Sequence, residues 1–147
     1  MAKNDMLSLL EQEHKEVSNL LKEILAHPRK PDLEKIQQVK SSLELHTNIE
    51  EKLLYPKAEK EKQASELISD AYKEHQEVKD LLKELKDNAE PDELIKYCEQ
   101  IQIGVEHHVK EEEGELFPLL RKLWDKETLQ DLGEKMQEMK EKELARH

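Results

Sequence analysis

The sequence predicts an all-α protein: an antiparallel, up-down four-helix bundle with a short fifth helix at its C-terminal end. Three observations predict it. Gly occurs three times and Pro five times in 147 residues, so little of the chain is suited to turns. Charged residues make up 40% and aromatics 3%, a balance that suits long helices and leaves no strand-like runs. Apolar residues recur at spacings of three and four, which is the period of one helix face.

The first helix starts at Asn4 or Asp5, either of which can serve as N-cap, and runs to about Ala26. Its apolar stripe is Leu7, Leu10, Val17, Leu21 and Ile24. His27, Pro28 and Pro31 break it. Asp32 caps a second helix with the stripe Ile36, Val39, Leu43, Ile49 and Leu53, ending near Lys62. The third carries Ile68, Ala71, Val78, Leu82 and Leu85, up to the break from Asn88 to Asp92. The fourth carries Leu94, Ile101, Val105, Leu116 and Leu119 and ends near Trp124. Leu129, Leu132, Met136 and Met139 mark the fifth helix, and the tail from Glu141 to His147 is expected to fray. Short breaks between long helices imply antiparallel neighbours. One domain over 1–147 is expected, with the core bundle in 5–124 and the last helix in 126–144.

Composition narrows the partners. The formal net charge is −11, which disfavours phosphate-rich surfaces, so neither nucleic acid nor an anionic membrane is expected. No apolar run is long enough to span a bilayer. The segment from Met1 to Asn19 is too charged for a secretory signal. Cys98 is the lone cysteine and cannot form an internal disulfide. A cytoplasmic protein is the expectation.

Each stripe has a gap, and a histidine fills it. His14 sits between Leu10 and Val17, His46 between Leu43 and Ile49, His75 between Ala71 and Val78, and His108 after Val105. The gaps repeat. The first half reads Glu13-His14, then His46-x-x-x-Glu50, then Tyr55-Pro56. The second reads Glu74-His75, then His108-x-x-x-Glu112, then Phe117-Pro118. An internal duplication of a helix pair explains this. From His14 the first helix climbs about 18 Å to its break, and the second descends roughly 21 Å to His46, so the two end near one level. The second pair behaves alike.

Four histidines and two glutamates thus converge on one core layer. Buried carboxylates are costly unless paired, and cations remove that cost. In His-x-x-x-Glu the two side chains lie one turn apart on the same face. The candidate metal ligands are His14, His46, Glu50, His75, His108 and Glu112. Imidazole with carboxylate suits iron, manganese or zinc, and the absence of a thiolate makes a structural zinc site less attractive.

Several neighbours take duller readings. His27, His107 and His147 have no repeat partner and are expected in solvent, although His107 could pair with Glu112 at a spacing of five. Glu111 and Glu113 read as a solvated charge run. The Tyr55-Pro56 and Phe117-Pro118 pairs read as packing and kink devices.

The two-fold pattern of single His, then His-x-x-x-Glu with an aromatic-Pro after it, resembles the hemerythrin-like family, the His-His-Glu cation-binding domain. The resemblance covers residues 7–124. It implies two iron ions with a bridging oxo or hydroxo group, Glu50 and Glu112 as bridges, and the four histidines as terminal ligands. Ala71 stands where the family's oxygen carriers place a further histidine, and His108 and Glu112 are four apart where those carriers use five. Simple reversible oxygen carriage is therefore not the expected role. Glu11 and Tyr72, each three residues before a site histidine, could lean toward the metals. Ser42 and Gly104 could leave room beside them. A small apolar pocket lined by Leu10, Val17, Ile49, Ala71 and Val105 is expected. The functional expectation is a non-haem di-iron protein that binds oxygen, nitric oxide or peroxide for sensing, scavenging or storage. The alternatives are iron handling or repair of iron centres, and a peroxidase or nitric-oxide-reducing enzyme. A metal- and ligand-binding role is preferred to a dedicated enzyme, and no protein partner is named.

Overall fold

The structure is a computed structural model that describes residues 5–146. Four long helices form the bundle: α1 (Met6–Leu25), α2 (Leu33–Ile49), α3 (Ser65–Lys83) and α4 (Pro91–Glu111). A fifth, α5 (Lys126–Arg146), lies against α1 and α2. α1 also packs on α2 and α4, and α3 on α4, which closes the bundle.

The caps follow from the sequence. Asp5 accepts a hydrogen bond from the Ser8 backbone N–H at 2.8 Å, and Asp32 accepts one from Lys35 at 3.1 Å, so each satisfies an orphan donor at a helix start. Asn4, the other candidate, lies outside the described residues. Pro91 opens α4, where its missing N–H costs nothing. α5 continues to Arg146, and His147 lies outside the described residues.

Two segments depart from regular helix. Beyond α2 the chain widens into a π turn, Glu50–Leu54, and then resumes as Tyr55–Ala58. Beyond α4 it does the same over Glu112–Leu116, then Phe117–Leu123. The Tyr55 N–H donates to the Glu50 carbonyl and the Phe117 N–H to the Glu112 carbonyl, both five residues back. Pro56 and Pro118 explain this. Proline cannot donate, and its ring crowds the carbonyl four residues back, so the turn opens.

The π turns shift the apolar phase. Leu53 and Leu119 were expected in the core, but both are only half-buried; Leu54 and Leu120 take those places and are fully buried. The second helix also ends at Ala58 rather than near Lys62, with a short 3-10 turn, Lys62–Ala64, before α3.

The core has two apolar clusters. One holds Leu7, Leu10, Ile49, Leu54, Ile68, Ala71, Leu116 and Leu120, and α5 covers it with Leu129, Leu132 and Met136. The other holds Val17, Leu21, Ile24, Leu43, Val78, Leu82, Ile101 and Val105. The apolar residues preceding the site histidines on α1 and α3 belong to the first cluster, and those following belong to the second. A polar layer therefore lies between two hydrophobic blocks, each aliphatic side chain of which contributes about 1.5–3 kcal/mol on burial.

Candidate metal centre

All six predicted ligands meet in this layer. Glu50 is 0% exposed and Glu112 1%, and His14, His46, His75 and His108 are buried as well. They form two overlapping groups: His14, His46, Glu50 and Glu112, and then His75, His108, Glu50 and Glu112. Within each group the donor atoms lie within 4.8 Å of one another. Glu50 and Glu112 belong to both. The repeat thus delivers two equivalent half-sites that share their carboxylates.

The donor atoms face inward. The Nε2 atoms of His14 and His46 lie 3.2 Å apart, and those of His75 and His108 lie 3.1 Å apart. His14 Nε2 is 3.2 Å from Glu112 Oε1, and His75 Nε2 is 2.9 Å from Glu50 Oε1. Glu50 Oε2 and Glu112 Oε1 are fully buried with no hydrogen-bond partner. Burying a carboxylate oxygen this way is costly unless a cation meets it. The donor set and the orphaned oxygens therefore fit a pair of metal ions.

The outer nitrogens explain the ring orientations. His14 Nδ1 lies 2.7 Å from Glu113, His46 Nδ1 2.7 Å from Glu13, His75 Nδ1 2.8 Å from Glu51, and His108 Nδ1 2.7 Å from Glu74. Every site histidine thus has a carboxylate behind it. An Nδ1–H that donates there leaves Nε2 free to bind metal, and the partner raises its basicity. The pattern obeys the repeat. The Glu before each single histidine serves the second histidine of its own half. The Glu after each shared carboxylate serves the single histidine of the other half.

Glu113 was expected in solvent; it is instead half-buried and bound to His14, because the π turn carries it over the α1 face. Two lysines hold the outer carboxylates in turn. Lys140 of α5 reaches Glu13 at 2.6 Å, and Lys79 reaches Glu51 at 2.8 Å.

Electrostatics agree with a layer that needs positive charge. Burial alone would lower the His46 pKa, but the Glu50 charge and the bonds to Glu13 and Glu50 outweigh it and push it up to about 10. Burial likewise opposes charge on His108, yet Glu112, Glu50 and Glu74 push it up to about 12. Burial would raise the Glu50 carboxyl, but His46, His108 and His75 hold it well below the usual carboxylate range. Without metal, protons on His46 and His108 offset the charge of Glu50. A bound cation takes over that role and releases them.

The other candidates fall outside the layer. Glu11 lies 3.5 Å from Arg121 and belongs to none of the His/Glu groups. Tyr72 packs edge-on against Tyr55 at 5.2 Å between ring centres. His107 is 64% exposed and pairs with Glu74 at 3.1 Å and Glu111 at 3.3 Å, so it does not replace His108. Ser42 is exposed, and Gly104 faces Val78, so neither opens space at the metals.

The expected apolar pocket is also corrected. Leu10, Val17 and Ile49 are packed into the core. The cavity beside the layer is only about 10 Å³ and is lined by Ala71, Glu74, His108, Glu112 and others. A larger groove of about 460 Å³ lies outside it between α1 and α4, along His14, Val105, Val109 and Glu113.

Sequence reasoning missed one central group. The Tyr55 hydroxyl enters the layer, 3.1 Å from His75 Nε2, 3.3 Å from His108 Nε2 and 3.2 Å from Glu50 Oε1, and it donates a short hydrogen bond to Glu112 Oε2. In a regular helix, residues five apart point roughly 140° away from each other. The π turn brings Tyr55 back to the side of Glu50.

A comparison with protein-family profiles matches the hemerythrin HHE cation-binding domain over residues 5–120, with an overlapping match over 74–146. The chain belongs to this family. Searches of curated proteins and of solved structures returned no match. The hemerythrin fold thus accounts for the bundle, and its cation-binding description agrees with the two His/Glu groups. Among the described residues no helix is long and apolar enough to cross a membrane.

Proposed function

We propose that the protein is a non-haem di-iron protein whose metal pair binds a small ligand, namely oxygen, nitric oxide or peroxide. The observation that carries this reading is the sharing of Glu50 and Glu112 between two His-His groups. Shared carboxylates suit two cations held side by side, and four imidazoles with no thiolate suit iron. His14, His46, His75 and His108 with Glu50 and Glu112 would hold the two ions, and iron there would supply the redox chemistry that diatomic ligands require. The protein's own part is to orient the imidazoles through Glu13, Glu51, Glu74 and Glu113, and to keep the layer dry between two apolar blocks.

Sensing, scavenging or storage fits this better than a dedicated enzyme. Among the described residues, the four Nδ1 carboxylates serve as partners of the site histidines rather than as a separate acid-base set. The test is to load the protein with ferrous iron without air, then add oxygen, nitric oxide or peroxide and follow the absorption spectrum. Reversible, saturable changes with one of the three support the reading. Sustained turnover of peroxide or nitric oxide points to an enzyme, and iron lost to a mild acceptor points to iron handling. A protein that takes up no iron refutes it.

A further inference from the structure

The two half-sites share one ligand pattern but differ five residues after each shared glutamate. Tyr55 follows Glu50 and Phe117 follows Glu112, each five residues on and each turned inward by a π turn. The Tyr55 hydroxyl enters the His75/His108 group. The Phe117 ring has no donor atom and instead stacks on His14, with centres 6.2 Å apart and planes 9° from parallel. The internal symmetry of the ligands is therefore broken by one oxygen atom.

Its position is informative. Donors that surround one ion at about 2.1 Å and at right angles lie roughly 3 Å from each other. His75 Nε2 and His108 Nε2 are 3.1 Å apart, His75 Nε2 and Glu50 Oε1 2.9 Å, and His108 Nε2 and Glu112 Oε2 3.1 Å. The Tyr55 oxygen lies 3.1–3.3 Å from His75, His108 and Glu50. Those distances match the 2.9–3.1 Å between neighbouring ligand atoms, although His108 Nε2 and Glu50 Oε1 lie 3.8 Å apart and the hydroxyl reaches Glu112 Oε2 through its short hydrogen bond. A tyrosine that only packed would have no reason to place its oxygen at the meeting point of four metal-binding atoms. The ring is held there by the π turn and by Tyr72 at its edge.

We propose that Tyr55 is a fifth protein ligand, a phenolate to the metal ion held by His75 and His108: the metal–oxygen bond replaces the O–H bond that now points to Glu112, and the proton is released to solvent as the ion binds. The pair of ions is then unequal. An ion held by His14 and His46 would lack this fifth donor: Phe117 stacks on His14 there, and His14 lines the groove between α1 and α4. The proposal rests on the two-metal reading above.

The test uses the full chain loaded with ferric iron alone. Iron per chain is measured together with the visible absorption and the resonance Raman spectrum. The expected result is two irons per chain, a visible phenolate-to-iron band and tyrosinate ring modes enhanced within it. Tyr55→Phe keeps the ring and the helix content, loses the band and the modes completely, and still binds at least one iron. Tyr72→Phe leaves both unchanged. Two irons with no tyrosinate modes in the unmodified protein, or modes that persist in Tyr55→Phe, overturn the phenolate ligand and leave the di-iron reading standing. No iron bound by the unmodified protein overturns both.

Discussion

Glu13 holds His46 at 2.7 Å through one carboxylate oxygen and holds Lys140 of α5 at 2.6 Å through the other. One side chain therefore links a candidate metal ligand on α2 to the helix that covers the bundle. Removing it frees the imidazole to rotate and removes the partner that raises its basicity. Glu13→Ala is expected to weaken metal binding about 10–100-fold. Competition with a chelator measures it, and Glu74→Ala, the repeat-equivalent change at His108, should behave alike.

The shared carboxylates behave differently. Glu50 bridges both groups, so losing it weakens both half-sites at once. Glu50→Gln keeps the shape but removes the charge that two cations need. Elemental analysis is expected to give fewer than two metals per chain, whereas Glu111→Gln, outside the layer, should retain both.

The metal-free protein should show an inverted pH response. Folding raises His46 from 6.5 to about 10 and His108 from 6.5 to about 12. The folded state therefore binds more protons than the unfolded state above pH 6.5. This stabilisation is complete below that pH and is lost as pH rises through the folded values. Thermal melts of metal-free protein are expected to fall steadily between pH 7 and 10. Metal-loaded protein should lack this slope, because the ion replaces the protons.

The fifth helix is part of the core. Met136 is 1% exposed and packs in the cluster below the metal layer. Met136→Ala is expected to cost about 2–5 kcal/mol. Urea denaturation checks this, with a lower midpoint and an unchanged slope.

Much of the site was legible because the sequence repeats. A lone histidine on an apolar stripe carries little information, but four in register with two glutamates specify a layer. The outer carboxylates were harder to see. Glu51 and Glu113 resemble any charged residue on a helix surface, and only the crossing of helices shows that each reaches a histidine of the other half. The signal was present: Glu13 matches Glu74, and Glu51 matches Glu113, in the same repeat. Tyr55, Leu54 and Leu120 were hidden for a different reason. Their facing depends on the π turns, and a regular helical period places them elsewhere. Pro56 and Pro118 marked those turns, but a proline signals a disturbance without giving its phase.

The central claim is that one layer holds two metal ions bridged by Glu50 and Glu112. Diffraction from crystals of iron-loaded protein, collected on both sides of the iron absorption edge, tests it most directly. The account predicts two anomalous peaks in the layer, one bonded to His14 and His46, the other to His75 and His108, with both glutamates reaching both ions. A single peak, or peaks placed only at the surface around His107, would contradict it.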